Sequence, residues 1–134
     1  MTPGELKRLC LSLPGAREEF PFGEANSVFK VAGKMFALSP LESKPLRVSL
    51  KCDPDLAVQL RRDHPEITAG YHLNKRHWNT VVLDGGVPTD LVREMVEDSY
   101  DLVVSGLPRR EQEKLRWVAL SQEKTPRGSG KPAR

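Results

Sequence analysis

Residues 46–51 have the sequence LRVSLK, the clearest strand pattern in the chain. Three aliphatic residues alternate with three polar ones, which is typical of a β-strand that is buried on one face and solvated on the other. Two of the polar residues, Arg47 and Lys51, are cations, so the solvated face is expected to be basic. The segment therefore predicts a sheet that helices cover on one side.

The remaining elements follow from helix caps, apolar periodicity and turn residues. Thr2-Pro3-Gly4-Glu5 contains a capping box, and Asp53-Pro54 begins a second helix. Gly33 is expected at a positive φ in a hairpin, while the proline and glycine within residues 18–23 predict irregular structure. The predicted strands are Ser27–Val31, Met35–Ser39, Leu46–Lys51 and Trp78–Leu83, and the two later helices are Thr89–Ser105 and Arg109–Leu120.

The element order α-β-β-β-α-β-α, with a short final helix, predicts the fold class α+β. We expect a single domain, with an antiparallel sheet of about four strands and the helices packed on one face. The formal net charge of the 134 residues is +3, and residues 121–134 (SQEKTPRGSGKPAR) carry all of that excess. The sequence therefore predicts a balanced domain over residues 1–120 and a disordered basic tail over residues 121–134.

Several classes of protein are disfavoured by composition. No apolar run approaches the roughly 20 residues that span a bilayer, and the N-terminal residues lack the pattern of a signal peptide. Cys10 and Cys52 are expected to be buried thiols and not a disulfide. We therefore expect a cytoplasmic protein without a membrane partner. The oligomeric state stays open, with a monomer favoured.

The segment from residue 71 to 85, YHLNKRHWNTVVLDG, concentrates polar chemistry just before a strand. In a nucleic-acid interface, Lys75 and Arg76 can contact phosphates, Asn74 a base edge, His77 either group, and Trp78 can stack on a base. In a purely structural interpretation, Asn74 takes a left-handed turn position, His77 bonds a backbone carbonyl and Trp78 starts a core strand.

The sequence HLNKRHWNTV followed by LDG resembles the signature of the MmcQ/YjbR family of small bacterial proteins. Three further segments resemble the family pattern in the same order: FKVAGKMFAL (Phe29–Leu38), RVSLKCDP (Arg47–Pro54) and SYDLV (Ser99–Val103). The resemblance covers roughly residues 1–120. It implies a double-wing α+β fold, likened to the DNA-binding domain of a phage transcription factor and to frataxin-like (CyaY-like) proteins, and it implies DNA as the partner.

Two further sets of cations fit a DNA partner. Lys30, Arg47 and Lys51 on strands, with Lys34 on the hairpin, form a basic platform if the strands are neighbours; the alternative is a solvated face neutralised by acidic neighbours. In the tail, Arg127 lies in a Pro-Arg-Gly sequence similar to the core of AT-hook peptides, although the second arginine is missing. The candidate DNA-binding residues are Asn74, Lys75, Arg76, His77, Trp78, Lys30, Lys34, Arg47, Lys51 and Arg127.

Metal and catalytic sites are not predicted. His72 and His77 are five residues apart with no Cys or carboxylate between them, which is not a metal-ligand spacing. No nucleophile has an evident base, so we expect no cofactor and no enzyme activity.

The competing hypothesis to DNA binding is a non-enzymatic module for a small molecule or protein partner, with Trp78, His72 and Tyr71 lining an apolar cleft. A resistance-type sequestration role belongs to this hypothesis.

Overall fold

The computed structural model describes residues 1–70 and 73–124, the last two of them by their backbone alone. The helices are α1 (Pro3–Leu11), α2 (Pro54–Asp63), α3 (Thr89–Ser105) and α4 (Arg109–Lys124). The strands are β1 (Ala16–Glu19), β2 (Ser27–Val31), β3 (Lys34–Ser39), β4 (Arg47–Lys51), β5 (Ile67–Ala69) and β6 (Trp78–Val82). They form one sheet in the order β1-β2-β3-β4-β6-β5, and every neighbouring pair is antiparallel.

The α+β class and the antiparallel sheet are confirmed, but the expected number of about four strands is wrong because the described sheet has six. Strand β1 was missed because its sequence, AREE, has no apolar alternation; its two acidic residues lie in the stretch expected to be irregular. Strand β5 has three residues, too few for a period to show. Both are edge strands, and such short strands depend on the ladder to their neighbour more than on their own sequence.

The helix starts are as predicted. Thr2 accepts a hydrogen bond from the amide of Glu5 (3.1 Å), whose carboxylate accepts from the amide of Thr2 (2.8 Å), which completes the capping box. Asp53 accepts from the amide of Leu56 at the start of α2 (3.3 Å).

Helix α4 continues to Lys124, beyond the predicted end, so residues 121–124 do not belong to a disordered tail. The rest of the predicted tail, 125–134, lies outside the described residues.

Helices α1, α2 and α3 pack their buried side chains into one core on the same face of the sheet, as predicted for these three helices. Tyr100 of α3 meets Phe36 of β3 edge to face, with ring centroids 5.4 Å apart, and its hydroxyl donates to the carbonyl of Pro14. Lys7 of α1 forms an ion pair with Glu18 of β1 (3.2 Å) on this side. The core between the layers includes Leu6, Phe29, Val31, Phe36, Val48, Leu50, Val81, Val92 and Val96. Among the described residues, no helix is long and apolar enough to cross a bilayer.

A β-bulge in β3 changes which residues face the helices. Phe29 pairs with Ala37, but Lys30 pairs with Met35, so Phe36 is an extra residue without a partner on β2. Phe36 and Ala37 are consecutive, yet both are fully buried. As a result, Met35 and the next outward residue, Leu38, lie three positions apart on the opposite face.

The hairpin between β2 and β3 contains a strained residue. Gly33 has a φ of 78°, as predicted, and Ala32 before it has a φ of 50°. Two consecutive positive φ values are typical of a type I′ turn, for which Asn-Gly is the preferred sequence. Alanine at the first position therefore carries a backbone cost that asparagine reduces.

We predict that Ala32→Asn raises the free energy of unfolding by about 0.5–1 kcal/mol, because asparagine adopts the left-handed conformation more readily. Urea denaturation measures the change. Gly33→Ala is the matched control, since a Cβ at this position meets nothing within 4 Å and the expected loss of about 1 kcal/mol is backbone strain alone. A destabilising Ala32→Asn contradicts the proposed strain.

Candidate ligand-binding cleft on the open face of the sheet

The face of the sheet opposite α1, α2 and α3, here called the open face, carries a row of side chains that crosses four strands. The register places Leu38 opposite Ser49, Ser49 opposite Thr80, and Thr80 opposite Thr68. Paired residues of antiparallel strands point to the same side, so these four side chains are neighbours. The middle of the open face is therefore a mixed surface of hydroxyls and one leucine.

A cleft of ≈ 400 Å³ lies above this row. Its floor is formed by Leu38, Ser49 and Thr80. The described lining residues are Phe22, Asn26, Leu38, Pro40, Arg47, Ser49, Leu73 and Thr80. Most of the lining is apolar, and clefts of this size and character are typical of sites for small molecules.

One wall of the cleft comes from the loop between β1 and β2. The amide of Gly23 donates to the carbonyl of Phe20 (3.2 Å), and the amide of Asn26 donates to the carbonyl of Gly23 (3.2 Å), so two turns follow each other. Gly23 has a φ of 101°, which favours glycine. The loop leaves Phe22 64% exposed beside the cleft. An aromatic ring that the core does not use is thereby exposed at the edge of the cleft.

The hydroxyls of Ser49 and Thr80 lie 2.7 Å apart on the floor and form a hydrogen bond. Two hydroxyl groups have two hydrogens, and their mutual bond uses one of them. The other hydrogen, with the remaining oxygen lone pairs, is available at the floor of the cleft. The pair therefore offers both a donor and an acceptor to a ligand.

Arg47 is the one cation among the described lining residues. Its side chain is exposed and makes no ion pair with any described carboxylate. Its backbone is fixed, because the hydroxyl of Ser39 donates to its carbonyl (2.6 Å) and the residue is paired with Val82 of β6. The guanidinium therefore has no ion-pair partner among the described residues, and the backbone that carries it is held in the sheet.

In residues 73–77, the conformation of Asn74 and the hydrogen bonding of His77 differ from what the structural interpretation of the sequence predicts. Asn74 is not left-handed, because Ala32 is the one described non-glycine residue with a positive φ; its side chain instead accepts from the amide of Arg76 (2.9 Å). The imidazole of His77 has no hydrogen bond in the described structure, and its backbone carbonyl accepts from the amide of Cys52 (2.7 Å). This carbonyl bond holds the segment against the end of β4.

Trp78 is the first residue of β6, as expected, but it does not enter the core. It pairs with Lys51, so the half-buried indole lies on the open face beside this lysine. It is not among the described residues that line the cleft. The other two residues expected there, Tyr71 and His72, lie outside the described residues.

The next residue, Asn79, is a buried polar group that the sequence pattern did not reveal. Asn79 is fully buried on the helix side, where its side-chain oxygen accepts from Arg61 of α2 (2.7 Å) and its amide donates to the carbonyl of Ala57 (3.4 Å). Arg61 also reaches the carbonyl of Lys75 (3.5 Å). The network therefore ties α2 to the segment that precedes β6.

The predicted basic platform is smaller than expected. Lys30 lies on the open face but is paired with Glu19 at 3.0 Å, and Lys34 pairs in register with Val31, whose side chain is buried on the helix side. Arg47 and Lys51 occupy opposite ends of β4. The charge of Lys30 is thus neutralised by an ion pair, and the two cations of β4 are separated by the length of the strand.

The remaining candidate cations among the described residues do not line the cleft. Lys75 and Arg76 are exposed on the segment before β6, and neither makes an ion pair with a described carboxylate. Arg127 lies outside the described residues. The structure therefore places Lys51 and Trp78 beside each other on the open face. Lys75 and Arg76 are exposed on the segment before β6, and Arg47 lines the cleft.

Sequence analysis missed most of the cleft. Two residues could have indicated the cleft. Leu38 is an aliphatic residue that the bulge turns to the open face, and Phe22 is an aromatic residue in a loop with proline and glycine. The sequence does not show that both line one cleft. Ser49 and Thr80 resemble ordinary solvated strand positions until the register of β4 and β6 is known.

The two thiols are structural. Both cysteines are free and buried. Burial raises the pKa of the Cys10 thiol to about 12, and burial together with the Asp53 carboxylate raises the pKa of Cys52 to about 11. Neither thiol is activated as a nucleophile.

Across residues 1–70 and 73–124, no group of three His, Cys, Asp or Glu side chains is placed to hold a metal ion.

Comparison with known proteins identifies the family. Residues 11–102 match the family model described as YjbR. The chain belongs to the YjbR family. It is 40% identical over 111 residues to the uncharacterised protein YbdF of Escherichia coli O157:H7, covering 82% of this chain and 90% of the relative. It is 37% identical over 116 residues to the uncharacterised protein YjbR of Escherichia coli K12, covering 86% of this chain and 98% of the relative.

A solved structure supports the same assignment. The crystal structure of Deinococcus radiodurans protein DR2400, described with the domain DUF419, matches with a TM-score of 0.81 and 44% identity, covering 86% of this chain and 88% of that chain. A crystal structure of a protein from Pseudomonas syringae matches with a TM-score of 0.56 and 27% identity, covering 65% and 86%. The resemblance to the MmcQ/YjbR signature is thereby confirmed at the level of the family.

We predict that Asn79→Ala lowers the free energy of unfolding by about 2 kcal/mol, because it removes a buried hydrogen bond to a guanidinium. Urea denaturation measures the loss. Asn74→Ala is the matched control: its side chain bonds an exposed amide, and the expected loss is within about 0.5 kcal/mol. Equal losses in the two variants contradict a structural role for the Asn79 network.

Proposed function

We propose that this YjbR-family protein is a non-enzymatic binding module that holds a small, largely apolar molecule in the cleft on the open face. The observation that carries the proposal is the concave cleft of ≈ 400 Å³, which is bounded by Phe22 and Leu73 and lies on a sheet face that α1–α3 leave uncovered. A sheet face used as a solvated surface needs neither an exposed phenylalanine nor a concave shape.

The chemistry of the lining supports binding without catalysis. The hydroxyls of Ser49 and Thr80 are the nucleophile candidates of the cleft, and each needs a base to act. The described lining residues include no carboxylate and no imidazole. Arg47 stays protonated and so does not act as a base. The groups of the cleft are therefore suited to recognition.

DNA binding is the second candidate, and one observation favours it. The register places Lys51 beside Trp78, and the segment held against this end of β4 carries Lys75 and Arg76 as exposed cations. A cation beside an aromatic ring, with two exposed cations on the adjacent segment, suits phosphate contacts with base stacking. The proposed DNA surface is formed by Lys51, Trp78 and the exposed Lys75 and Arg76, and none of these four residues lines the cleft.

We predict that N-phenyl-1-naphthylamine, a neutral apolar dye, becomes fluorescent on binding the cleft. Phe22→Ala removes an aromatic wall and is expected to weaken the affinity about three- to tenfold. Phe20→Ala is the matched control, because Phe20 lies on the same loop and is 48% exposed but does not line the cleft.

A background variant excludes a second dye site. Trp117 on α4 is 70% exposed, so the titration is repeated with Trp117→Ser. Absence of any fluorescence change, or equal weakening by Phe22→Ala and Phe20→Ala, overturns the proposed cleft function.

For DNA, we predict binding to a duplex that weakens steeply as salt rises from about 50 to about 200 mM. Replacing Lys75 and Arg76 together by glutamine is expected to reduce the slope of log K against log salt by about 2, because each substitution removes one cation from a phosphate. Replacing Arg109 and Arg110 together by glutamine on α4, where both are exposed, is the control for net charge. A chain without residues 125–134 tests the tail separately. Salt-independent binding, or no binding at low salt, overturns this candidate.

A further inference from the structure

We infer that the ligand of the cleft is a compact apolar acid, which the protein selects by pairing a single carboxylate with Arg47 and the Ser49–Thr80 hydroxyl pair. This inference rests on the proposed small-molecule function and deepens it by assigning the charge and size of the ligand. Its basis is the charge of the lining, the spacing of its polar groups and the volume of the cleft.

The described residues of the lining carry one positive charge. Arg47 is the single ionised side chain among the described lining residues, and no described carboxylate neutralises it. A ligand with one negative charge satisfies this guanidinium. A ligand with two negative charges leaves one of them unpaired beside apolar walls, at a cost in desolvation. The lining therefore favours a monoanion over a phosphate monoester or a dicarboxylate.

The polar groups are spaced for one carboxylate. Arg47 and Ser49 are two positions apart on β4 and point to the same face, so their Cβ atoms are about 7 Å apart along the strand. The arginine side chain spans such a distance. One carboxylate oxygen can then accept from the guanidinium while the other accepts the free hydroxyl hydrogen of the Ser49–Thr80 pair.

The apolar lining fits the rest of the molecule. Leu38 lies next to Ser49 on the floor, and Phe22 and Leu73 bound the space above it. A volume of ≈ 400 Å³ accommodates a body of one or two rings, or a short branched chain. The carboxylate at Arg47 orients this body toward the apolar part of the lining.

The anchoring of Arg47 lowers the cost of binding. Its carbonyl is held by the hydroxyl of Ser39 and its strand neighbour on β6 is Val82, so the backbone does not need to be ordered when a ligand arrives. The cost that remains is the rotamer freedom of one exposed side chain. A monoanion therefore gains a charge-assisted hydrogen bond at little conformational cost.

The experiment compares two probes that differ in their charge. Titrations of 1-naphthoate and 1-naphthamide into the 134-residue chain at low ionic strength are followed by amide chemical shifts, which report both affinity and location. We expect shifts around Leu38, Ser49 and Thr80 with both probes. We expect naphthoate to bind about tenfold more tightly, the difference that a charge-assisted hydrogen bond provides.

Substitutions at Arg47 test the assigned partner. Arg47→Met keeps the aliphatic stem but removes the charge, and it is expected to bring the two affinities within about twofold of each other. Arg47→Lys is expected to restore part of the preference for naphthoate, because it restores the charge without the planar donors. Arg62→Met, at an exposed cation of α2 outside the cleft, is expected to leave the preference unchanged.

The salt dependence gives a readout that needs no variant. Added salt is expected to lower the affinity for naphthoate, because salt screens an exposed guanidinium. The affinity for naphthamide is expected to stay unchanged. Equal affinities for the two probes in the unmodified protein overturn the inferred ligand class and leave the cleft as a binding site. Absence of shifts at the cleft with either probe overturns both proposals. A naphthoate preference that survives Arg47→Met overturns the role of Arg47.

Discussion

The hydroxyl of Ser99 connects the long helix to two strands at the point where one of them is bulged. It donates to the carbonyl of Phe36 (2.5 Å) and accepts from the amide of Lys51 (2.8 Å). The regular β3–β4 pairs end at Ala37 and Leu50, so the hydroxyl stands where the next direct strand bond would form. Without it, a buried carbonyl and a strand amide have no shared partner, at a cost of about 1–3 kcal/mol.

The bulge that Ser99 supports determines both faces of the sheet. Because Phe36 is an extra residue, two consecutive side chains reach the core, and Phe36 packs edge to face against Tyr100. The same extra residue sets the side on which Leu38 lies. Leu38 then falls opposite Ser49 on the open face and becomes part of the cleft floor. The packing of the core and the shape of the cleft thus depend on one irregularity.

The sequence predicts the elements that carry their own pattern, and it misses those that depend on a neighbour. Alternation identifies the strand from Arg47 to Lys51, and caps identify the helix starts. Strand β1 forms because β2 offers a free edge, and Asn79 is buried because Arg61 and Ala57 satisfy it. Neither cause is local. The cleft is least predictable, since Phe22 and Leu73 are distant in sequence and line one cleft because of the fold.

The position of a charge matters more here than the number of charges. Arg47 and Lys51 are four residues apart on one strand, which separates them by about 13 Å, more than a Debye length at physiological salt. Lys51 is half-buried, Lys75 and Arg76 are exposed, and none of these three residues lines the cleft. Arg47 is exposed as well, but it borders the apolar lining of the cleft, so an anion paired with it can place an apolar body against Phe22 and Leu73. A body that is electrically balanced overall can therefore still select an anion at one place.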